Sequence, residues 1–125
     1  MENPQQKYKV WWDEKEKIGR INVAGETNTE ITEKIIEEGF KLAEQYGNKI
    51  GWLVDATGVT KPILTIQARK AMSEAIKLIG QGKLAIAGES TLVRVITNFV
   101  LTAVGKKNVK FFLTEEEALK WLKEE

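Results

Sequence analysis

The period of the apolar residues changes early and then keeps changing, and that alternation limits the folds open to the chain. In "YKVWWD" (8–13), Tyr8, Val10 and Trp12 stand on alternate positions, and Ile21 and Val23 do so in "GRINVAG" (19–25). This is the period of half-buried strands. The charged "EKEK" between them is short enough for a hairpin loop, so the two strands are expected to pair antiparallel. From residue 27 the spacing becomes helical, with Ile31, Ile35, Gly39, Leu42 and Tyr46 in one row flanked by Ile36, Phe40 and Ala43. Thr27 with Glu30 has capping-box spacing, and Thr29 is a rival N-cap. Glu30/Lys34 and Glu37/Lys41 are i,i+4 pairs, and Gly47 with Asn48 is the stop signal.

Strand and helix then alternate to the end. "IGWLVDA" (50–56), "KLAIAGE" (83–89) and "VKFFL" (109–113) are short apolar runs of buried-strand type. Between the first two, Leu64, Ala68, Ala71, Ala75, Leu78 and Ile79 mark a helix over 64–80. The stretch "TLVRVITNFVLTAV" (91–104) is rich in β-branched residues. We read it as helix because Ser90 is a good N-cap, Gly105 a good stop, and parallel strands need a crossover there. "TEEEALKWLKEE" closes the chain with a Thr114/Glu117 capping box and an Ala118, Leu119, Leu122 stripe. The order is β-β-α-β-α-β-α-β-α. It predicts an α/β domain with a mixed, mostly parallel five-stranded sheet and four helices, joined by right-handed crossovers. Residues 1–125 are read as a single domain with 1–6 as a disordered tail.

Composition narrows the chemistry. The 125 residues contain neither Cys nor His, so thiolate chemistry, a Ser-His-Asp triad and the commonest metal ligand are excluded. No cofactor or metal is implied, and the chain is expected not to be an enzyme; one working without His would rest on Asp55 with Lys61 or Thr57. With 19 basic and 18 acidic side chains the net charge is +1, which argues against nucleic acid or an anionic membrane surface as partner. The polar start "MENPQQKYK" shows no secretory signal, and no apolar run approaches the ~18 residues of a membrane span. A cytoplasmic protein is the expectation.

Ligands of open parallel sheets sit beyond the carboxyl ends of the strands. Here one such end runs into "DATGVTKP" and another into "GES", each leading to a helix whose first N–H groups are unpaired. The candidate ligand-binding residues are Asp55, Thr57, Gly58, Thr65, Arg69, Glu89, Ser90 and Arg94. Arg69 and Arg94, two of only three Arg, fall early in the following helices, where a cation opposes the helix dipole unless an anion is near. That anion is either a bound ligand or Asp55 itself. The same residue types are ordinary turn and cap formers, and Asp55 is also read as an Asx-type cap on the N–H groups of 57–60 or on the Thr57 hydroxyl.

Together these residues carry a resemblance. "LVDATGV" resembles the Leu-Leu-Asp-x-Ser-Gly-Val stretch of anti-sigma-factor antagonists in the STAS family. "GWLVDATGV", "AIAGES" and "FFLTEEEALKWL" are similar, more closely, to an uncharacterised SpoIIAA-like (STAS/SEC14-like) group. The resemblance implies a right-handed β/α superhelix with helices largely on one side of the sheet. It also implies a regulatory module that binds a partner protein or a small anionic ligand, or alternatively a SEC14-like carrier of a small apolar ligand or lipid. The Asp-Ser-Ser phosphoacceptor stretch of the antagonists matches Ile63, Leu64, Thr65, where Thr65 is the only hydroxyl and aliphatics replace the Asp and the first Ser. Thr65 is therefore read chiefly as a helix cap.

Two further features point outward. Trp11 and Trp12 are neighbours on one strand and must face opposite sides of the sheet, whereas Trp52 and Trp121 are read as core. In 91–104, Leu92, Val95, Phe99 and Ala103 form one apolar row and Val93, Ile96, Val100 and Val104 another. Thr91, Arg94, Asn98 and Thr102 make the polar strip. Two apolar rows exceed what one helix normally buries, so a homodimer or partner contact through this helix is expected.

Overall fold

Asp13 turns the chain back on itself. In the computed structural model, which describes residues 8–26, 28–47, 49–61, 66–67, 70, 73, 82–88, 94, 98 and 108–124, its Oδ1 accepts the backbone N–H groups of Lys15 and Glu16, each at 3.0 Å. Lys17 takes a positive φ of 59° and donates its N–H to the Asp13 carbonyl at 2.7 Å. The turn sets β1 (Tyr8–Asp13) antiparallel to β2 (Ile18–Glu26), as the alternating segments predict. Helix α1 (Thr29–Tyr46) follows, then β3 (Gly51–Lys61), β4 (Leu84–Ala87), β5 (Val109–Phe112) and α2 (Glu115–Lys123). The five strands form one sheet in chain order, and β2, β3, β4 and β5 run parallel.

The N-cap of α1 is Asn28, neither Thr27 nor Thr29: its side chain accepts the Ile31 N–H at 2.8 Å. Three cap-competent residues stand in a row, and the amide reaches the third helical N–H from the extended backbone of residue 28. Gly47 ends α1 at φ 100°, donating its N–H to the Ala43 carbonyl. The expected pairs Glu30–Lys34 and Glu37–Lys41 close at 3.3 and 3.8 Å on the exposed face.

Cross-strand partners share a face, so the register divides the sheet cleanly. One face carries the row Trp12, Gly19, Trp52, Leu84, Val109 and, two residues on, Val10, Ile21, Val54, Ile86, Phe111. Leu42 and Ala43 of α1 pack there on a core of Trp52, Leu84 and Val109. The Trp52 indole lies across Gly19, where a Cβ would stand 2.5–2.8 Å from its ring atoms. At the strand edge Trp12 stacks on Tyr46 of α1, with centroids 3.9 Å apart and planes 7° from parallel.

The opposite face carries Ile18, Leu53, Ala85 and Ala87, and α2 closes on it with Ala118 fully buried and Leu119, Trp121 and Leu122 around it. The capping box forms, with Thr114 Oγ accepting the Glu117 N–H at 3.2 Å and donating to the Glu117 carboxylate. Both ends of α2 are tied by charge. Glu115 pairs with Arg20, Lys123 pairs with Glu16 at 2.9 Å, and the Lys83 ammonium donates to the terminal carbonyls of Trp121 and Glu124. A cation at that terminus also complements the helix dipole. Arg20, whose side chain is only 13% exposed, bridges Glu115 and Asp13. The two described helices thus cover opposite faces. The expected helices at 64–80 and 91–104, with their apolar rows, lie outside the described residues apart from helical positions 66, 67, 70, 73, 94 and 98.

Trp11 and Trp12 do face opposite sides. Trp12 is under Tyr46, while Trp11 lies on the α2 side of the sheet, with Lys9 4.7 Å and Arg20 5.6 Å from its ring centre.

Two outcomes test this packing. Gly19→Ala forces the Trp52 ring to move and is expected to cost about 1–3 kcal/mol in urea unfolding, as overpacking does. The Glu16 N–H and the Arg20 guanidinium hold the Asp13 carboxyl below its ordinary range, against the opposing effect of burial. A depressed folded-state pKa gives stability that is present above the unfolded value and lost as pH falls through the folded one. Asp13→Asn should therefore flatten the fall in Tm between about pH 5 and about pH 2 while lowering Tm at neutral pH.

Candidate functional site

The turn expected after Asp55 is a continuation of the strand. β2 and β3 stay in step from Ile18↔Gly51 to Asn22↔Asp55, and the next pair is Ala24↔Gly58, so β3 has one extra residue there. This is a β-bulge, and Asp55 holds it: Oδ1 accepts the Thr57 N–H at 3.0 Å and the Thr57 hydroxyl at 2.7 Å. Glycine is required beyond it, because a Cβ on Gly58 would lie 2.9 Å from the Ala24 Cβ. A second register shift follows between Gly25 and Glu26, with Gly25 at φ 72°. Pairing of β3 with β4 stops at Asp55↔Ala87, yet β3 remains on β2 as far as Glu26↔Lys61. One ladder is enough to keep it extended, which corrects the strand end expected at 56.

Asp55 is half-buried, and Thr57 and Gly58 are exposed, so this corner faces solvent at the carboxyl end of β3. Arg94 is exposed on a helical segment and lines a different feature, a cleft of about 460 Å³ along β5. Thr65, Arg69, Glu89 and Ser90 lie outside the described residues. Asp55 shares a row with Ala87 and Phe112, two strand spacings from β5, or about 10 Å. The cleft lining contains Arg94 but neither Asp55, Thr57 nor Gly58, so the four described candidates do not share one cleft.

Among the described residues the cleft is lined by β5 (Val109–Phe112) with Leu113 after it, by Arg94 and Asn98, and by Glu117 of α2. β5 is the last strand of the sheet, so among the described residues only one of its edges is paired. The carbonyls of Asn108 and Phe112 accept from Leu84 and Gly88 of the β4 side. Backbone groups alternate along a strand, so those of Val109 and Phe111 point the other way, into the cleft. Lys110 is exposed, with its ammonium 5.5 Å from the centre of the Trp121 ring. Among the described residues Arg94 has no ion-pair partner, whereas Glu117 is engaged by the Thr114 hydroxyl.

Sequence reasoning missed Lys110, Phe111 and Glu117 as site residues. The available signal was topological: a chain that adds parallel strands in order leaves its last strand at an edge. Among the described residues no group of three or more Asp or Glu could hold a metal, and no helix is long and apolar enough to cross a membrane.

The bulge gives a direct test of Asp55. Asp55→Ala removes both bonds to Thr57 and is expected to cost about 0.5–2 kcal/mol, the scale of a lost cap, with faster amide exchange at Thr57. Unchanged stability and exchange would show that the carboxylate does not hold the bulge.

Comparison with known proteins places the fold and stops short of an activity. A solved structure with a TM-score of 0.66 is an uncharacterised protein of the DUF3478 family with a SpoIIAA-like fold from Shewanella loihica PV-4, 18% identical, with 98% of each chain covered. At that identity the likeness is one of fold, and it agrees with the SpoIIAA-like resemblance of the sequence motifs. No curated protein matches the chain. Residues 17–125, from the last residue of the hairpin turn onward, match the family described as Domain of unknown function (DUF7793), and the protein belongs to that family.

Proposed function

We propose that the protein is a non-catalytic, STAS-like regulatory module of the cytoplasm. It binds a partner protein or a small anionic ligand beside the carboxyl ends of its parallel strands. The observation that supports this is the β5 cleft: a strand edge and an Arg94 that are both without partners among the described residues meet an exposed Lys110 in one concave surface. This reading takes 64–80 and 91–104 as the two crossover helices that complete a four-helix β/α superhelix, with Arg94 presented from the second. The SEC14-like alternative is less well supported, because an apolar ligand in this cleft would desolvate Arg94, Lys110 and Glu117 without pairing them.

Native mass spectrometry of the freshly purified protein separates the two readings. The bare chain mass is expected for the module, and a retained lipid mass would overturn it in favour of a carrier. Titration with sulfate should then shift the amides of Arg94, Lys110 and Phe111 together. Shifts spread over surface lysines instead would show non-specific charge attraction.

A further inference from the structure

We propose that the cleft is a strand-addition site, in which an extended, acidic segment of a partner protein pairs with the outer edge of β5. The inference rests on the module reading and specifies its partner and mode of binding. Strand addition needs an unpaired backbone row, and β5 offers the N–H and C=O groups of Val109 and Phe111. It needs room about 4.8 Å outside the strand, the spacing of neighbouring strands, and the cleft of about 460 Å³ lies there. It needs walls that hold the incoming side chains, which alternate to the two sides of the sheet. Arg94, Asn98 and Glu117 line the cleft beside β5.

Charge selects the occupant. Among the described residues Arg94 has no ion-pair partner, Lys110 is exposed on β5, and the single anion lining the cleft, Glu117, is engaged at its own helix cap. An incoming segment with carboxylate side chains neutralises the two cations. A second copy of this chain, paired β5 to β5, would instead bring its own Arg94 and Lys110 against them, and like charges across a strand pair are unfavourable.

The probe is the peptide acetyl-Ser-Val-Glu-Val-Glu-Val-Ser-amide, titrated into the full chain and followed by NMR and amide exchange. Binding is expected to slow exchange at Val109 and Phe111 while leaving Lys110 and Phe112 unchanged. N-methylation of alternate peptide amides should weaken binding about tenfold or more, because it removes inter-strand bonds. Lys in place of Glu in the peptide should weaken binding similarly, and Arg94→Glu, an exposed change, should reverse that preference. Equal binding of the N-methylated peptide would overturn strand addition while leaving the module reading intact. Equal binding of the Lys peptide would overturn the acidic selection, and absence of binding would overturn the proposal as a whole. A sedimenting dimer with Val109 and Phe111 already protected would assign the edge to a second copy and overturn it too. The module reading itself falls only with the lipid-retention result, so the two failures are distinguishable.

Discussion

The indole of Trp52 organises the α1 side of the sheet. It lies across the backbone of Gly19, and its row continues through Leu84 and Val109 to the far edge. Antiparallel hairpin and parallel sheet meet at this contact, because Gly19 belongs to the strand that takes part in both. A large aromatic ring set against a residue without a side chain fixes the lateral register of β2 and β3 more sharply than aliphatic packing would. Trp12 then continues the row to the other edge, and its stacking on Tyr46 anchors the last turn of α1 over the hairpin.

The second face is held on a different principle. Beside Ile18 and Leu53, the contact with α2 is made by small residues, Ala85 and Ala87 of the sheet and Ala118 of the helix, all fully buried, so the helix approaches closely while these contacts each bury little apolar area. Position is supplied by the ends, where Glu115 and Lys123 pair with Arg20 and Glu16. Exposed ion pairs contribute little by themselves. Arg20 differs, since it is largely withdrawn from water between two carboxylates, and removing one of them would leave a poorly compensated charge. Both aspartates of the chain serve comparable local roles, each accepting the N–H of the residue two further on, Asp13 in the hairpin and Asp55 in the bulge.

Much of this was legible in the sequence because period and capping are local properties. The hairpin, the apolar row of α1, the Thr114 box and the three short apolar strands β3, β4 and β5 follow from local pattern. Spacing points to Thr27 or Thr29 as the N-cap of α1; Asn28 between them is equally able to cap, and only its extended backbone angle decides for it. The extension of β3 was hidden because the Thr-Gly sequence after Asp55 reads as a turn in isolation, while pairing of Gly58, Val59 and Lys61 with β2 carries the strand on. Arg20 gave no periodic signal, as its partners lie seven and 95 residues away. Of the candidate site, Asp55 with Thr57 was legible as chemistry, while the β5 cleft depends on strand order, which no short motif encodes.

Beyond Asp55 the sheet narrows to two strands, and this changes the mechanics of the connection that follows. A two-stranded ribbon twists more than the body of a sheet, and each bulge adds to the right-handed twist. The chain leaves Lys61 with a heading set by the two register shifts rather than by the sheet as a whole. The ribbon acts as a steering arm for the next segment, and its aim is quantised. Deleting one residue from the first bulge would restore a regular ladder, remove the twist that the bulge adds and so redirect the ribbon beyond it.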